Sequence, residues 1–350
     1  MSASTVSRSG DRTAGGAAPT GPISMTMAKA INEGLRASLR RDPKVLLMGQ
    51  DIAALGGVFR VTEGLRAEFG DERVVDTPLA EAGIIGTAVG LAMRGYRSVC
   101  EIQFDGFVFP AYDQIVNQVA KMRFRTRGRQ VAPIVVRIPF GGGIGAVEHH
   151  SESPEALFAH VQGLRVVACS SPADAYWMIQ QAVACDDPVI FFEPKRRYFE
   201  RGEVDATGDL DAAPLPLGSA RVVRPGTDAT VVTYGSLVPT ALEAAEAAEV
   251  EDGRSLEVID LRSISPLDLD TVYGSARKTG RVVVVHEAAK SFGVGAEVAA
   301  RVSESCFYHL EAPVLRVTGL EMPYPPARVE EHYLPDVDRI LDSVDAALSF

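Results

Sequence analysis

What most constrains the fold of this chain is an alternation that runs along nearly all of its 350 residues. Short apolar runs rich in β-branched residues are separated by stretches whose apolar residues recur at helical spacing. Val45-Leu46-Leu47-Met48, Val74-Val75, Ser98 to Gln103, Ile134 to Ile138, Val166-Val167-Ala168 and Val189 to Phe192 read as strands. Between them, helices are expected over Met27–Leu39, from Pro78, from about Pro110 to Arg123, from Pro154 with Ser153 as cap, and from Pro172 with Ser171 as cap. Strands that are apolar on both faces suit a parallel sheet covered by crossover helices. Between Arg201 and Pro216 Gly, Asp, Ala and Pro dominate, periodicity is lost, and residues 201–218 read as a linker. A second series follows, with strands at Thr230–Tyr234, Leu256–Ile259, Val282–Val285 and Val314–Val317. The expectation is an α/β protein of two domains, residues 23–200 and 219–350. The length agrees, since one core rarely grows beyond about 250–300 residues.

Composition removes several classes of function. The net charge is −11, a poor match to nucleic acid, whose phosphates need Lys and Arg. No apolar run approaches the length of about 18 residues that a membrane helix requires. The four cysteines, Cys100, Cys169, Cys185 and Cys306, show no metal-ligand spacing and mostly sit in apolar stretches, as buried thiols in a reducing compartment would. Residues 1–22 are rich in Ser, Gly, Ala and Thr and contain Arg8 and Arg12, but they have no apolar core of a secretory signal. They read as a disordered tail in preference to a transit peptide, so a cytoplasmic location is expected before the mitochondrial matrix.

Candidate chemistry is spread over several short stretches. In Asp76-Thr77-Pro78-Leu79-Ala80-Glu81-Ala82-Gly83-Ile84-Ile85, Glu81 shares a helix face with Ile84, Ile85 and Ala88. A carboxylate on an apolar stripe is a functional candidate; an exposed acid favoured by the helix dipole is the plainer reading. Gly141-Gly142-Gly143-Ile144-Gly145 follows a strand but lacks the Lys-Ser/Thr of a phosphate loop, so it is read as a loop that lets backbone approach something closely. His149 and His150 then lie at the carboxyl end of a parallel strand, where such sheets bind ligands; polar loop histidines are the alternative. Phe104, Phe107, Phe109 and Tyr112 form an aromatic cluster that either packs the core or walls a pocket. Lys121, Arg123, Arg125, Arg127 and Arg129 form a basic run, a solvated helix end or a contact for an acidic surface. His286-Glu287 ends a Val-rich strand and alone says little.

Together these stretches resemble the β subunits of thiamine-diphosphate-dependent 2-oxo acid dehydrogenases, from about Ala28 to the C-terminus. The resemblance is carried by Gly56-Gly57-Val58-Phe59-Arg60, Asp76 to Ile84, Glu101-Ile102-Gln103-Phe104, His150-Ser151-Glu152-Ser153-Pro154-Glu155-Ala156, Phe191-Phe192-Glu193-Pro194-Lys195 and Val258-Ile259-Asp260-Leu261-Arg262, in that order. It implies a pyrimidine-binding parallel-sheet domain followed by a transketolase C-terminal-type domain. It also implies that thiamine diphosphate lies at an interface with an α subunit, which holds the diphosphate and Mg²⁺. Glu81 matches the Glu that hydrogen-bonds the aminopyrimidine nitrogen, and His150 the active-site His that serves reductive acyl transfer to lipoyl. Leu79, Gln103 and Phe107 match cofactor-pocket positions.

The implied partners are the α subunit, in an assembly of two α and two β chains, a dihydrolipoyl acyltransferase core, and a 2-oxo acid substrate. Departures from the family are Gln50 in place of Glu, Phe107 in place of a frequent Tyr, and Glu152 in place of a frequent Gln. A structural potassium ion near Asp187 is a family feature placed in doubt by Cys185. Gly56 to Arg60 and Val147 to Glu155 resemble the branched-chain enzymes more than the pyruvate enzymes. The alternatives are a pyruvate dehydrogenase β subunit, a non-catalytic assembly scaffold, and a single-chain thiamine enzyme such as transketolase, for which the chain is too short.

Overall fold

The computed structural model of the chain describes residues 21–350, so most of the tail expected over residues 1–22 lies outside the described residues. Fourteen strands are present among them: β1 (Ile23–Thr26), β2 (Val45–Gly49), β3 (Val74–Asp76), β4 (Arg97–Glu101), β5 (Ile134–Phe140), β6 (Arg165–Ala168), β7 (Val189–Pro194), β8 (Arg201–Val204), β9 (Arg221–Arg224), β10 (Ala229–Thr233), β11 (Leu256–Asp260), β12 (Ser263–Ser265), β13 (Val282–Ala289) and β14 (Leu315–Gly319). The first sheet has the order β12-β6-β7-β5-β4-β2-β3 and is parallel except for β12. The second has the order β14-β13-β10-β11-β9 and is parallel except for β9.

Every residue of β2, β5, β7, β10 and β11 is buried, as the continuous apolar runs require when helices cover both faces. One face of the first sheet is covered by helices Met27–Arg41 and Pro172–Ala184. They cross closely at Gly34, where a Cβ would stand 2.4 Å from Ile179 Cγ2. Thr26 and Ser171 cap these helices by accepting from the N–H of Lys29 and Asp174. The other face forms an apolar layer that runs without a break into the second unit, from Ile84, Ile85, Val108 and Phe158 to Val232, Ile259 and Val294. Each large side chain buried there contributes about 1.5–3 kcal/mol.

The α/β architecture in two units is as expected, but several boundaries differ. The expected linker opens with β8, which pairs antiparallel with β1 and so joins the first strand of the described residues to the end of the first unit. Strand β12, from the second unit, adds an antiparallel edge to the first sheet beside β6. The helix expected from Pro78 starts at Glu81, with Ala80 in the cap position, and Thr77 N–H donates to Gly49 O at 2.9 Å. The stretch from Pro110 to Arg123 is broken: a 3-10 helix spans Asp105–Ala111, a π-helix Gln114–Val119 and a short α-helix Met122–Arg125. Ser153 gives no side-chain cap to helix Glu155–Ala159. Among the described residues no helix is long and apolar enough to cross a membrane.

Candidate active site

Strands of one parallel sheet present their carboxyl ends on one edge, and the order β5-β4-β2-β3 makes β2 and β4 neighbours while β3 lies outside β2. The direction of connection reverses there, which is where open α/β sheets bind ligands. Gln50 and Asp51 follow β2, Glu81 follows β3, Gln103 and Phe107 follow β4, and His150 follows β5. Gln103 Nε2 donates to Gln50 O at 3.4 Å and Asp51 Oδ2 at 3.3 Å, tying the β2 and β4 ends together. Asp76 accepts from Ala53 N at 2.7 Å and Ala54 N at 3.0 Å, tying in β3.

Glu81 occupies the first turn of its helix, half-buried, with Ile84 and Ile85 buried behind it. The helix packs on the 3-10 segment that carries Phe107. Leu79, just before it, is 70% exposed and so contributes a wall open to whatever faces this edge. Glu81 thus stands in the first turn on the same side as Ile84 and Ile85, neither exposed nor fully buried.

His150 is held by aromatic rings. It stacks on Phe104 with 3.9 Å between centroids and 8° between planes, and meets the edge of Phe107 at 5.0 Å. Its Nδ1 lies 2.9 Å from His149 O. A carbonyl only accepts, so Nδ1 is the donor in this contact and Nε2 is not committed by it. His149 is exposed and lies beside Glu148 at 3.7 Å. Of the four expected aromatics, Phe104 and Phe107 therefore grip His150. Tyr112 packs on Phe158 and donates to Leu157 O at 3.1 Å, and Phe109 is 48% exposed.

Beneath these groups lie two charged clusters. Arg137, 1% exposed, forks onto Glu193 at 2.6 and 2.8 Å and reaches Glu101 at 2.5 Å, while Tyr198 donates to Glu193 at 2.6 Å. Burial opposes the charge on Arg137, but Glu193 and Glu101 outweigh it and hold the guanidinium charged. Burial pushes Glu101 up, and Arg137 offsets part of that shift. In the second cluster Lys195 donates to Asp105, both fully buried, and Asp105 also accepts the Glu152 N–H at 2.9 Å. Burial pushes Asp105 up and Lys195 down, and their mutual contact resists both shifts. Lys195 also stands 5.7 Å over the Phe104 ring. The residues that fix the His150 loop thus come from β4 and β7, far apart in sequence. Their signal was present in Glu101-Ile102-Gln103-Phe104 and Glu193-Pro194-Lys195, but their pairing was not.

The remaining motifs are placed elsewhere. Asp187, the position tied to a potassium ion, is engaged by Arg123 at 3.0 Å and Arg165 at 3.6 Å. Most of the basic run is exposed, with Phe124 88% exposed among it. All four cysteines are free, and burial pushes the Cys100 thiol up to about 12. Among the described residues no three His, Cys, Asp or Glu groups converge as a metal site.

Residues 23–200 match the transketolase pyrimidine binding domain and residues 218–340 the transketolase C-terminal domain. A solved structure described as a split gene transketolase, inactive beta4 tetramer, shares the fold, with a TM-score of 0.74 at 23% identity over 93% of this chain and 98% of that one. The two domain matches therefore define a protein of the transketolase type.

Curated relatives narrow this. The pyruvate dehydrogenase E1 component subunit beta of Leifsonia xyli subsp. xyli is 62% identical over 93% of this chain and 96% of its own length. The 3-methyl-2-oxobutanoate dehydrogenase subunit beta of Mycobacterium tuberculosis is 56% identical over 93% and 92%. The 2-oxoisovalerate dehydrogenase subunit beta of Pseudomonas aeruginosa is 46% identical over 91% and 93%. The chain belongs to the family of E1 β subunits of 2-oxo acid dehydrogenases.

Proposed function

We propose that this chain is the β subunit of the decarboxylating component of a branched-chain 2-oxo acid dehydrogenase complex, working in the cytoplasm. In this reading it pairs with an α subunit as two α and two β chains, and passes the acyl group to lipoyl on a dihydrolipoyl acyltransferase core. The observation that carries the reading is the gathering of Glu81, Leu79, Gln103, Phe107 and His150 on one carboxyl edge, with His150 clamped by Phe104 and Phe107. The domain limits follow the same reading: residues 23–200 for the pyrimidine domain, a linker to 218, and a C-terminal domain from 219.

The residues present suit thiamine diphosphate. Glu81 at a helix start can hydrogen-bond an aminopyrimidine nitrogen, Leu79 and Phe107 offer apolar walls, and Gln103 offers an amide. When bound, the cofactor supplies the electron sink for decarboxylation. Glu81 holds or moves the proton at the ring nitrogen, and His150 presents Nε2 to substrate or acyl group. The α subunit supplies the Mg²⁺ and diphosphate site in this reading. The glycine loop of this chain favours that division, because carboxylates of its own C-terminal domain already take its amides. A pyrimidine-side carboxylate and an intact histidine also favour an active chain over a scaffold. A potassium ion at Asp187 is not adopted, since two guanidiniums already neutralise that carboxylate.

Substrate choice rests on Gly56 to Arg60 and on Val147 to Glu155, which resemble the branched-chain enzymes. A branched acyl group buries several more methyl and methylene groups than a methyl does, each worth about 0.8 kcal/mol, so a fitted pocket separates the substrates by about one to two orders of magnitude. With its own α subunit, the enzyme is expected to show higher kcat/KM for the 2-oxo acids of valine, leucine and isoleucine than for pyruvate. A higher value for pyruvate would replace this reading with a pyruvate dehydrogenase β subunit.

A further inference from the structure

We infer that Glu330, together with Tyr324 and Glu287, is a positioning residue for His150: the C-terminal domain latches the glycine loop and thereby sets the histidine. This rests on the reading of His150 as an active-site group. The loop leaves β5 with φ of +82° at Gly141, +82° at Gly143 and +70° at Gly145. Left-handed residues of this kind turn successive amide N–H groups towards one concavity, an arrangement that elsewhere receives phosphate or another anion.

In this chain the anion is built in. Gly142 N–H donates to Glu287 Oε2 at 3.0 Å, and Gly145 N–H donates to Glu330 Oε1 at 2.9 Å. Gly143 N–H is shared between Tyr324 Oη at 3.1 Å and Glu330 Oε2 at 3.2 Å, and Tyr324 donates its own hydrogen to Glu330 Oε2 at 2.8 Å. Glu287, Tyr324 and Glu330 are 5%, 7% and 9% exposed, so the latching side chains are buried, while Gly143 and Gly145 themselves are exposed. Arg196, 3.2 Å from Glu287, balances part of the buried charge.

The same contacts explain why the loop is glycine. A Cβ at Gly142 would lie 2.0 Å from Tyr324 Oη, and one at Gly141 would lie 2.7 Å from Glu287 Oε2. At its far foot the loop closes on the first unit, through Gly141 N–H to Glu152 O at 2.9 Å and Glu152 N–H to Asp105 Oδ2 at 2.9 Å. His150 lies between the apex held by the C-terminal domain and the foot held by the pyrimidine domain. The C-terminal domain, which contributes no residue to the sheet-edge site, thus acts on it through three side chains.

The test uses the full chain assembled with its α subunit and two variants, Glu330→Gln and Tyr324→Phe. Hydrogen exchange is followed over residues 141–152, beside steady-state acyl transfer to lipoyl. In Glu330→Gln, exchange at Gly143 and Gly145 is expected to rise about tenfold or more, as for a local opening that leaves the sheet intact. The kcat should fall about tenfold while KM for the 2-oxo acid stays within about twofold, the signature of a misplaced group rather than lost binding. Tyr324→Phe keeps the ring and should move both readouts the same way by less, and it carries the test alone should Glu330→Gln fail to fold. Unchanged loop exchange, or faster exchange with unaltered kcat, would overturn the inference. A fully active His150→Ala control would overturn it through the reading of His150, a failure separable from that of the latch because exchange reports the latch directly.

Discussion

On the β4–β5–β7 side of the first sheet, polar groups close on one another within the chain: Arg137 is 1% exposed between Glu101 and Glu193, and Asp105 and Lys195 are fully buried together. On the β3 side, Leu79 is 70% exposed, Glu81 is half-buried, and a Cβ added at Gly86 or Gly90 of the same helix would meet nothing within 4 Å. The first region carries its own countercharges and packing, so its cost of burial is settled by folding. The second presents a carboxyl group and apolar wall without covering them, which suits a site completed by another chain. The contrast teaches that the histidine half of the proposed site is a matter of this chain's stability, and the glutamate half a matter of assembly.

That division can be broken by substitution. Glu81→Gln keeps the shape, so unfolding and assembly should match the parent, yet turnover should fall about 10²–10⁴-fold, as for a lost acid–base group. Activity within a few-fold of the parent would remove Glu81 from the chemistry. Arg137→Leu should do the reverse and strike stability first. It strands two buried carboxylates, at a cost of about 3–5 kcal/mol in denaturant unfolding. A loss below about 1 kcal/mol would show that the cluster is not the self-contained frame described above.

A smaller effect sharpens the comparison at the seam between the units. Tyr234 donates to Glu155, which also faces Glu287 and Asp105, and burial pushes the Glu155 carboxyl from 4.5 up to about 8. The folded chain therefore keeps a proton that the unfolded chain releases. Stability from this group is complete below about pH 4.5 and is lost as pH rises through about 8. Glu155→Gln, which still accepts from Tyr234, should flatten that part of the pH–stability curve. An unchanged curve would mean that Glu155 is ionised in the fold.

Much of this was legible in the sequence, because the signal was local. Largely apolar runs gave β2, β5 and β7, and Ser171-Pro172 gave a helix start that the structure repeats. What escaped was nonlocal. β12 joins β6 across nearly a hundred residues, and β8 pairs with β1 from the far end of the first unit, so neither is marked by its own neighbours. Helix Glu81–Met93 starts later than expected, with Ala80 rather than Thr77 in the cap position, while Thr77 N–H pairs with Gly49 O at the end of β2. At the proposed site, Glu81, Gln103, Phe107 and His150 were nameable from motifs, whereas Glu330 and Tyr324 lie in stretches with no motif of their own and Glu287 was visible only as the end of a Val-rich strand. Only the folded chain brings them to the glycine loop.

The claim that the cofactor site is shared between two chains is tested most directly by titration calorimetry of thiamine diphosphate with Mg²⁺. The chain alone and the chain assembled with its α subunit are titrated side by side. The account predicts no saturable binding to the chain alone and one cofactor bound per αβ pair in the assembly. Tight, Mg²⁺-dependent binding of one cofactor per isolated chain would contradict it.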